Sequence, residues 1–175
     1  LCVPRREAGI AARHAEKDGV WQLPVGFTLT GRADRVDILA DGSLEILDFK
    51  TGSVPDGRDM RAFMAPQLLL EAAMAAAVGI GGLPPADASA LTYIKIGQGP
   101  DGFLPKAFAA RDDDLPGAIA EAQRRLEYYV AAMLLRDDLP MAARIIPDNK
   151  QRFRGEFDHL ARTDEWLVQE DDDRA

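Results

Sequence analysis

The chain reads as an α/β protein, and three observations predict this. Residues 27–39 and 43–49 alternate apolar and polar side chains in the manner of strands, around an Ala40-Asp41-Gly42 turn. A stretch from about Asp59 to Val78 is rich in Ala and Leu, and stops at a glycine-rich segment with Gly79, Gly81 and Gly82. Two more strand-like runs, Ala88–Ile96 and Phe103–Ala109, precede a helix opened by Asp114 and Pro116. Strands interleaved with helices in this way point to a mixed sheet flanked by helices.

Taken in order, residues Leu1–Lys17 hold many helix formers and are expected to end a helix that begins upstream. The hairpin follows, then a Pro/Gly loop over Ser53–Gly57 and the helix to Val78. In the helix after Asp114, Ile119, Ala122, Leu126, Tyr129 and Met133 recur at helical spacing and form its expected buried stripe. Beyond Pro140 the chain is Pro- and Arg-rich to Gly155 and reads as an irregular arm, whose Arg144, Lys150, Arg152 and Arg154 could touch a polyanion or form surface ion pairs. The length suits a single domain over residues 1–169, with an acidic tail over residues 170–175.

The hairpin register decides where its charged residues go. A two-residue Asp-Gly turn would set Ile38 opposite Glu45 and Val36 opposite Leu47. A three-residue loop with Gly42 in the left-handed position sets Ile38 opposite Leu44 and Val36 opposite Ile46. The second register matches apolar to apolar on one face, and a one-residue slip would reverse every side chain. It is therefore preferred. Asp34 then lies opposite Asp48, with Lys50 on the same face two residues further on.

Opposed carboxylates repel, and a divalent cation would remove the penalty. Hard oxygen ligands from one or two carboxylates, completed by water and phosphate, suit Mg²⁺ or Mn²⁺. A solvated salt-bridge face would use the same residue types. Asp34 and Asp48 continue the apolar face of Val36, Ile38, Leu44 and Ile46, however, which puts them at the edge of the core. Charged groups at such places usually have a partner or a metal. These features favour a site.

Gly31-Arg-Ala-Asp34-Arg-Val-Asp37, Asp48-Phe-Lys50-Thr-Gly52 and Gln67-Leu-Leu-Leu-Glu71 together resemble the RecB-like branch of the PD-(D/E)XK nucleases. Within that branch the chain is similar to the C-terminal nuclease domains of the AddB type. The narrower likeness rests on Phe27-Thr-Leu-Thr-Gly-Arg-Ala-Asp34, Ala65-Pro66-Gln67-Leu68 and Phe157-Asp-His-Leu-Ala-Arg162. The resemblance runs from about Trp21 to Trp166 and implies a restriction-endonuclease-like fold.

The resemblance further implies an Mg- or Mn-dependent deoxyribonuclease, an exonuclease of double-strand break repair and recombination. It makes Asp34 and Asp48 the metal ligands with the backbone carbonyl of Phe49, Lys50 the residue that orients or activates water, and Gln67 a substrate-positioning residue. DNA and an AddA-like helicase-nuclease subunit are the implied partners. Two departures stand out. The family's further His or Glu ligand comes from a helix well upstream, expected to lie outside this chain, and neither Glu7 nor Glu16 has the motif context to replace it. The glutamine motif, usually closed by Tyr, ends here in Glu71.

Charge runs against DNA binding. With 21 Lys and Arg against 29 Asp and Glu, the formal net charge is −8, where a phosphate-binding surface is normally basic. Part of the excess lies in Asp112-Asp113-Asp114 and in Glu170-Asp171-Asp172-Asp173, runs that read as solvated. Arg32, Arg35, Lys50, Arg58 and Arg61 are expected to gather near the carboxylates. A catalytically impaired nuclease fold, kept for DNA guidance or subunit docking, is the alternative.

Other chemistries find no support. The single Cys2 excludes a disulfide framework and an internal four-cysteine iron–sulfur cluster. There is no Walker A loop, nucleophile elbow or Cys-x-x-Cys pair, and no apolar run long enough to span a membrane. Phe49 breaks the likeness of Asp48-Phe-Lys-Thr-Gly52 to the phosphorylated motif of ion pumps. His14 has no metal-site partners, and His159 reads as a structural residue. The cytoplasm is the expected compartment.

Overall fold

A computed structural model describes residues 9–97, 103–107 and 114–136. All lie in one compact unit, Leu1–Arg136, while a second unit, Asp137–Ala175, falls outside the described residues. The arm after Pro140, its basic residues, His159, Cys2 and the acidic tail therefore lie outside them as well.

Among the described residues five strands form one sheet in the order β1-β2-β3-β4-β5. They are β1 (Ile10–Gln22), β2 (Thr28–Leu39), β3 (Leu44–Lys50), β4 (Ala88–Ile96) and β5 (Phe103–Ala107). The first three run antiparallel, β3 and β4 are parallel, and β5 is antiparallel to β4. Parallel neighbours need a crossover. Here it carries two helices, α1 (Gly57–Arg61) and α2 (Gln67–Val78); α3 (Leu115–Tyr129) follows β5. This is the mixed sheet with flanking helices that the sequence predicts.

The hairpin adopts the register chosen on apolar matching, with Val36 opposite Ile46 and Ile38 opposite Leu44. Gly42 has φ +85°, the left-handed conformation that the three-residue loop requires. The loop is closed by Leu39 N–H to Ser43 O at 2.8 Å and Gly42 N–H to Leu39 O at 2.9 Å.

The expected helix over Leu1–Lys17 is not present in its described part. From Ile10 the chain is a strand, paired with β2 from Ile10↔Leu39 to Gln22↔Thr28. Ile10, Ala12 and His14 are partly buried between the exposed Ala11, Arg13 and Ala15, a two-residue period that the count of helix formers hides. Pairing with a long neighbour outweighs intrinsic helix preference. The expected helix over Asp59–Val78 is also broken in two. Asp56 caps α1 through a capping box with Asp59, and the chain turns over Ala62–Pro66 before α2 begins.

Most of α2 is buried, from Leu68 to Ala75 with the exception of Leu70. It covers a core of Val36, Leu44, Ile46, Leu91 and Tyr93, and a second cluster joins Trp21 and Leu23 to Ala73 and Met74. In α3 and the turn that follows it, the predicted stripe is only half right. Ala122 is buried and Ile119 and Leu126 are partly so, but Tyr129 and Met133 are exposed. Among the described residues no helix is long and apolar enough to cross a membrane.

Candidate active site at the fork of the sheet

The backbone ladder between β2 and β3 ends at Arg35↔Leu47. Beyond it β2 continues against β1 as far as Thr28, and β3 continues against β4 to Lys50↔Lys95. The sheet forks there, one step short of the level at which Asp34 would face Asp48. Two like charges at that step disfavour closure of the ladder. The Asp34 carboxylate lies in the opening instead, its Oδ2 accepting the Phe49 N–H at 2.9 Å.

β1 is irregular at the same level. Glu16 has φ +51°, uncommon for a residue with a side chain, and the core-facing positions of β1 switch there from even to odd. On β2 the core-facing set changes from Ala33 to Val36 across Asp34. Glu16 itself, one of the two acids considered as a further ligand, is exposed and bonded to Arg32 Nη2 at 2.5 Å. Glu7 lies outside the described residues.

On the other limb of the fork Asp48 is 2% exposed. Lys50 Nζ donates to Asp48 Oδ1 at 3.0 Å and to Gln67 Oε1 at 3.1 Å. It also lies 2.8 Å from Asp48 Oδ2, but out of hydrogen-bonding alignment, so that oxygen is ion-paired without an aligned donor. Gln67, the first residue of α2, donates from Nε2 to Asp48 Oδ1 at 2.7 Å and to Glu71 Oε1 at 3.1 Å. Strand β3 thus supplies Asp48 and Lys50, and the start of α2 places the amide that ties them together.

Two residues that the sequence reading gave no role complete this surrounding. Glu71, one turn after Gln67, is 5% exposed, and its Oε2 has no hydrogen-bond partner. Burial above all, with the charges of Asp48 and Asp34, pushes its carboxyl up to about 7, against the opposing pull of the Gln67 amide and Lys50. Tyr93 sits beside Asp48 in the parallel register of β4, and Lys50 Nζ lies 5.7 Å from its ring centre. Burial, then Asp48 and Glu71, raise the Tyr93 phenol to about 12. The signal for Glu71 was its place four residues after Gln67; the place of Tyr93 depends on the pairing of β3 with β4.

The expected gathering of basic residues is only partly present. Lys50 is bonded into the site. Arg32 is exposed and engaged with Glu16 and, at 3.8 Å, Asp18. Arg35 pairs in register with Leu47 and so belongs to the other face, where its Nε and Nη2 grip Asp37 at 2.8 and 2.5 Å. Strand alternation separates it from Asp34 and Asp48. On that second face Asp37 (1% exposed) lies opposite Glu45, whose Oε1 accepts from Thr92 Oγ1 at 2.7 Å. Arg58 and Arg61 lie on α1, and Arg125 donates to the Arg61 carbonyl at 3.2 Å.

The donor set suits a hard divalent cation. Carboxylates flank the fork, and among the described residues the two buried side-chain oxygens without a hydrogen-bond partner, Asp48 Oδ2 and Glu71 Oε2, are both here. Among the described residues, no three His, Cys, Asp or Glu side chains are grouped tightly enough to hold an ion as they stand. Two carboxylates are enough for Mg²⁺, which keeps several waters.

A mixed sheet flanked by helices, with two acids and a lysine at the fork of its central strands, is the arrangement of a nuclease-type domain. The chain belongs to the PD-(D/E)XK nuclease superfamily, whose family model matches residues 4–159. The fold is accordingly restriction-endonuclease-like. Over 46 residues the chain is 37% identical to "Uncharacterized protein RC0550" of Rickettsia conorii (strain ATCC VR-613 / Malish 7), covering 26% of this chain and 6% of that protein. An "Uncharacterized protein" of Rickettsia felis is also 37% identical over 46 residues, covering 26% of this chain and 5% of its own. The matched stretch is thus a small part of these relatives' length. The crystal structure of SSO0001 aligns with a TM-score of 0.39 and 18% identity, covering 65% of this chain and 50% of that one.

Proposed function

We propose that this chain is a metal-dependent deoxyribonuclease domain of the RecB/AddB type, acting as an exonuclease in double-strand break repair and recombination. The observation that carries the reading is Lys50 held between Asp48 and Gln67 at the opening where Asp34 leaves the ladder. An acid pair with a lysine in one cleft is what hydrolysis of a phosphodiester beside a divalent cation needs.

Asp34, Asp48 and the Phe49 carbonyl would hold Mg²⁺ or Mn²⁺. The ion would polarise the phosphoryl oxygen and lower the pKa of water. The Lys50 ammonium offsets charge on the phosphate and orients the attacking water. Gln67 fixes the Asp48 carboxylate and holds the Lys50 side chain. In the reaction a water oxygen bonds to phosphorus, the bond from phosphorus to the 3′ oxygen breaks, and that oxygen takes a proton. A 5′-phosphate is left.

With a net charge of −8, bulk DNA affinity has to come from elsewhere in the complete protein or from an AddA-like helicase-nuclease partner in the cytoplasm. The same charge favours the second reading, a nuclease fold kept for DNA guidance or subunit docking. Cleavage of linear DNA by the full-length protein separates them. Mg²⁺- or Mn²⁺-dependent cutting should fall by at least about a hundredfold in Asp48→Ala and Lys50→Ala. Cutting by both variants at the wild-type rate would refute this site.

A further inference from the structure

Among the described residues, two buried side-chain polar atoms lack a hydrogen-bond partner, and they belong to neighbouring carboxylates joined by one amide. Gln67 Nε2 donates to one oxygen of Asp48 and one of Glu71, leaving Asp48 Oδ2 and Glu71 Oε2 over. Lys50 Nζ lies 2.8 Å from Asp48 Oδ2, while Glu71 Oε2 accepts no hydrogen bond. A carboxylate that is 95% buried, with one oxygen unpartnered and two further acids nearby, is costly as a purely structural element.

A packing role alone would be met by Gln or Leu at this position, since α2 is already buried along its length. A divalent cation offsets the clustered negative charge and takes hard oxygen donors. We propose that Glu71 belongs to the cation-binding set, its free buried Oε2 serving as an oxygen donor for a divalent ion held at Asp48. Position and geometry both favour this. Residues four apart on a helix share a face, so the turn that brings Gln67 to Asp48 brings Glu71 to the same cleft. Lys50, now paired with Asp48, must give up Oδ2 to the ion and turn its charge toward the phosphate.

The inference rests on the cation reading of the Asp34–Asp48 site, and its test separates the two. Mn²⁺ alone is titrated into the full-length protein and the free ion is read by electron paramagnetic resonance, so no turnover is needed. Glu71→Gln preserves shape and should weaken Mn²⁺ binding at least about tenfold, the scale seen when a supporting residue of a metal site is lost. Glu71→Asp, which keeps the carboxylate, should retain more affinity than Glu71→Gln. A cooperative melt of each variant establishes that it is folded. Loss of affinity in Asp48→Asn with none in Glu71→Gln overturns the role of Glu71 and leaves the site standing. Unchanged affinity in both Asp34→Asn and Asp48→Asn overturns the site, and Glu71 with it.

Discussion

The Gln67 amide bonds Asp48 Oδ1 at 2.7 Å, joining the first residue of a helix to a strand that lies nineteen positions earlier. The same side chain accepts from Lys50 at 3.1 Å. Gln67 therefore contacts both the Asp48 carboxylate and the Lys50 ammonium. It is held in turn by the start of α2, whose buried face anchors it to the sheet.

Replacing Gln67 by Leu removes its bonds to Asp48, Lys50 and Glu71 and leaves Asp48 and Lys50 in place. Misplacement of a reacting group by about an ångström can cost on the order of a hundredfold in rate. Turnover of linear DNA by Gln67→Leu should fall by about ten- to a hundredfold, with a cooperative melt showing that the variant is folded. An unchanged rate would show that Asp48 and Lys50 need no help from the helix.

On the far face of the sheet the Arg35–Asp37 pair supports the fold and stands away from the cleft. Asp37 is buried, and its charge holds the Arg35 guanidinium above its ordinary range, chiefly through their hydrogen bond. Removing one partner of a buried pair leaves the other charge uncompensated, at about 3–5 kcal/mol. Because Arg35 is partly exposed, Arg35→Met should cost somewhat less, about 2–3 kcal/mol by urea denaturation. A loss below about 0.5 kcal/mol would show that Asp37 has other sufficient support.

Glu71 makes the stability of the metal-free protein depend on pH. Its folded value, about 7, stands above its ordinary 4.5. A carboxyl raised in this way contributes fully below about 4.5 and loses that contribution as pH rises through about 7. At about 1.4 kcal/mol per pH unit the whole effect is roughly 3 kcal/mol. Melting temperatures in chelator should show wild type losing ground to Glu71→Gln between pH 5 and about 8. A constant difference across that range would mean that Glu71 is ionised throughout.

Much of the site was legible because its residues are close in sequence. The hairpin register followed from matching Val36 and Ile38 to Ile46 and Leu44, and Gly42 has the backbone conformation that this register requires. Period-two alternation then put Asp48 and Lys50 on one face of β3. β1 was misread because helix-forming residue types masked a partly buried alternation that only pairing with β2 makes stable. The basic cluster was misread for the converse reason: closeness in sequence put Arg35 next to Asp34, and strand alternation turned it to the other face.

The sequence by itself determined the local order, namely a tight hairpin with an acid on each arm, a lysine two residues on, and helical structure that includes Gln67. Short-range sterics and the strand period are sufficient for that. Only the tertiary structure decided that the sheet opens at Asp34, that β4 brings Tyr93 beside Asp48, and that Glu71 is buried with an oxygen unpartnered. Those features depend on which strands pair and on what α2 covers. Such long-range contacts have free energies set by burial and desolvation across the whole core, and no local window of sequence contains them.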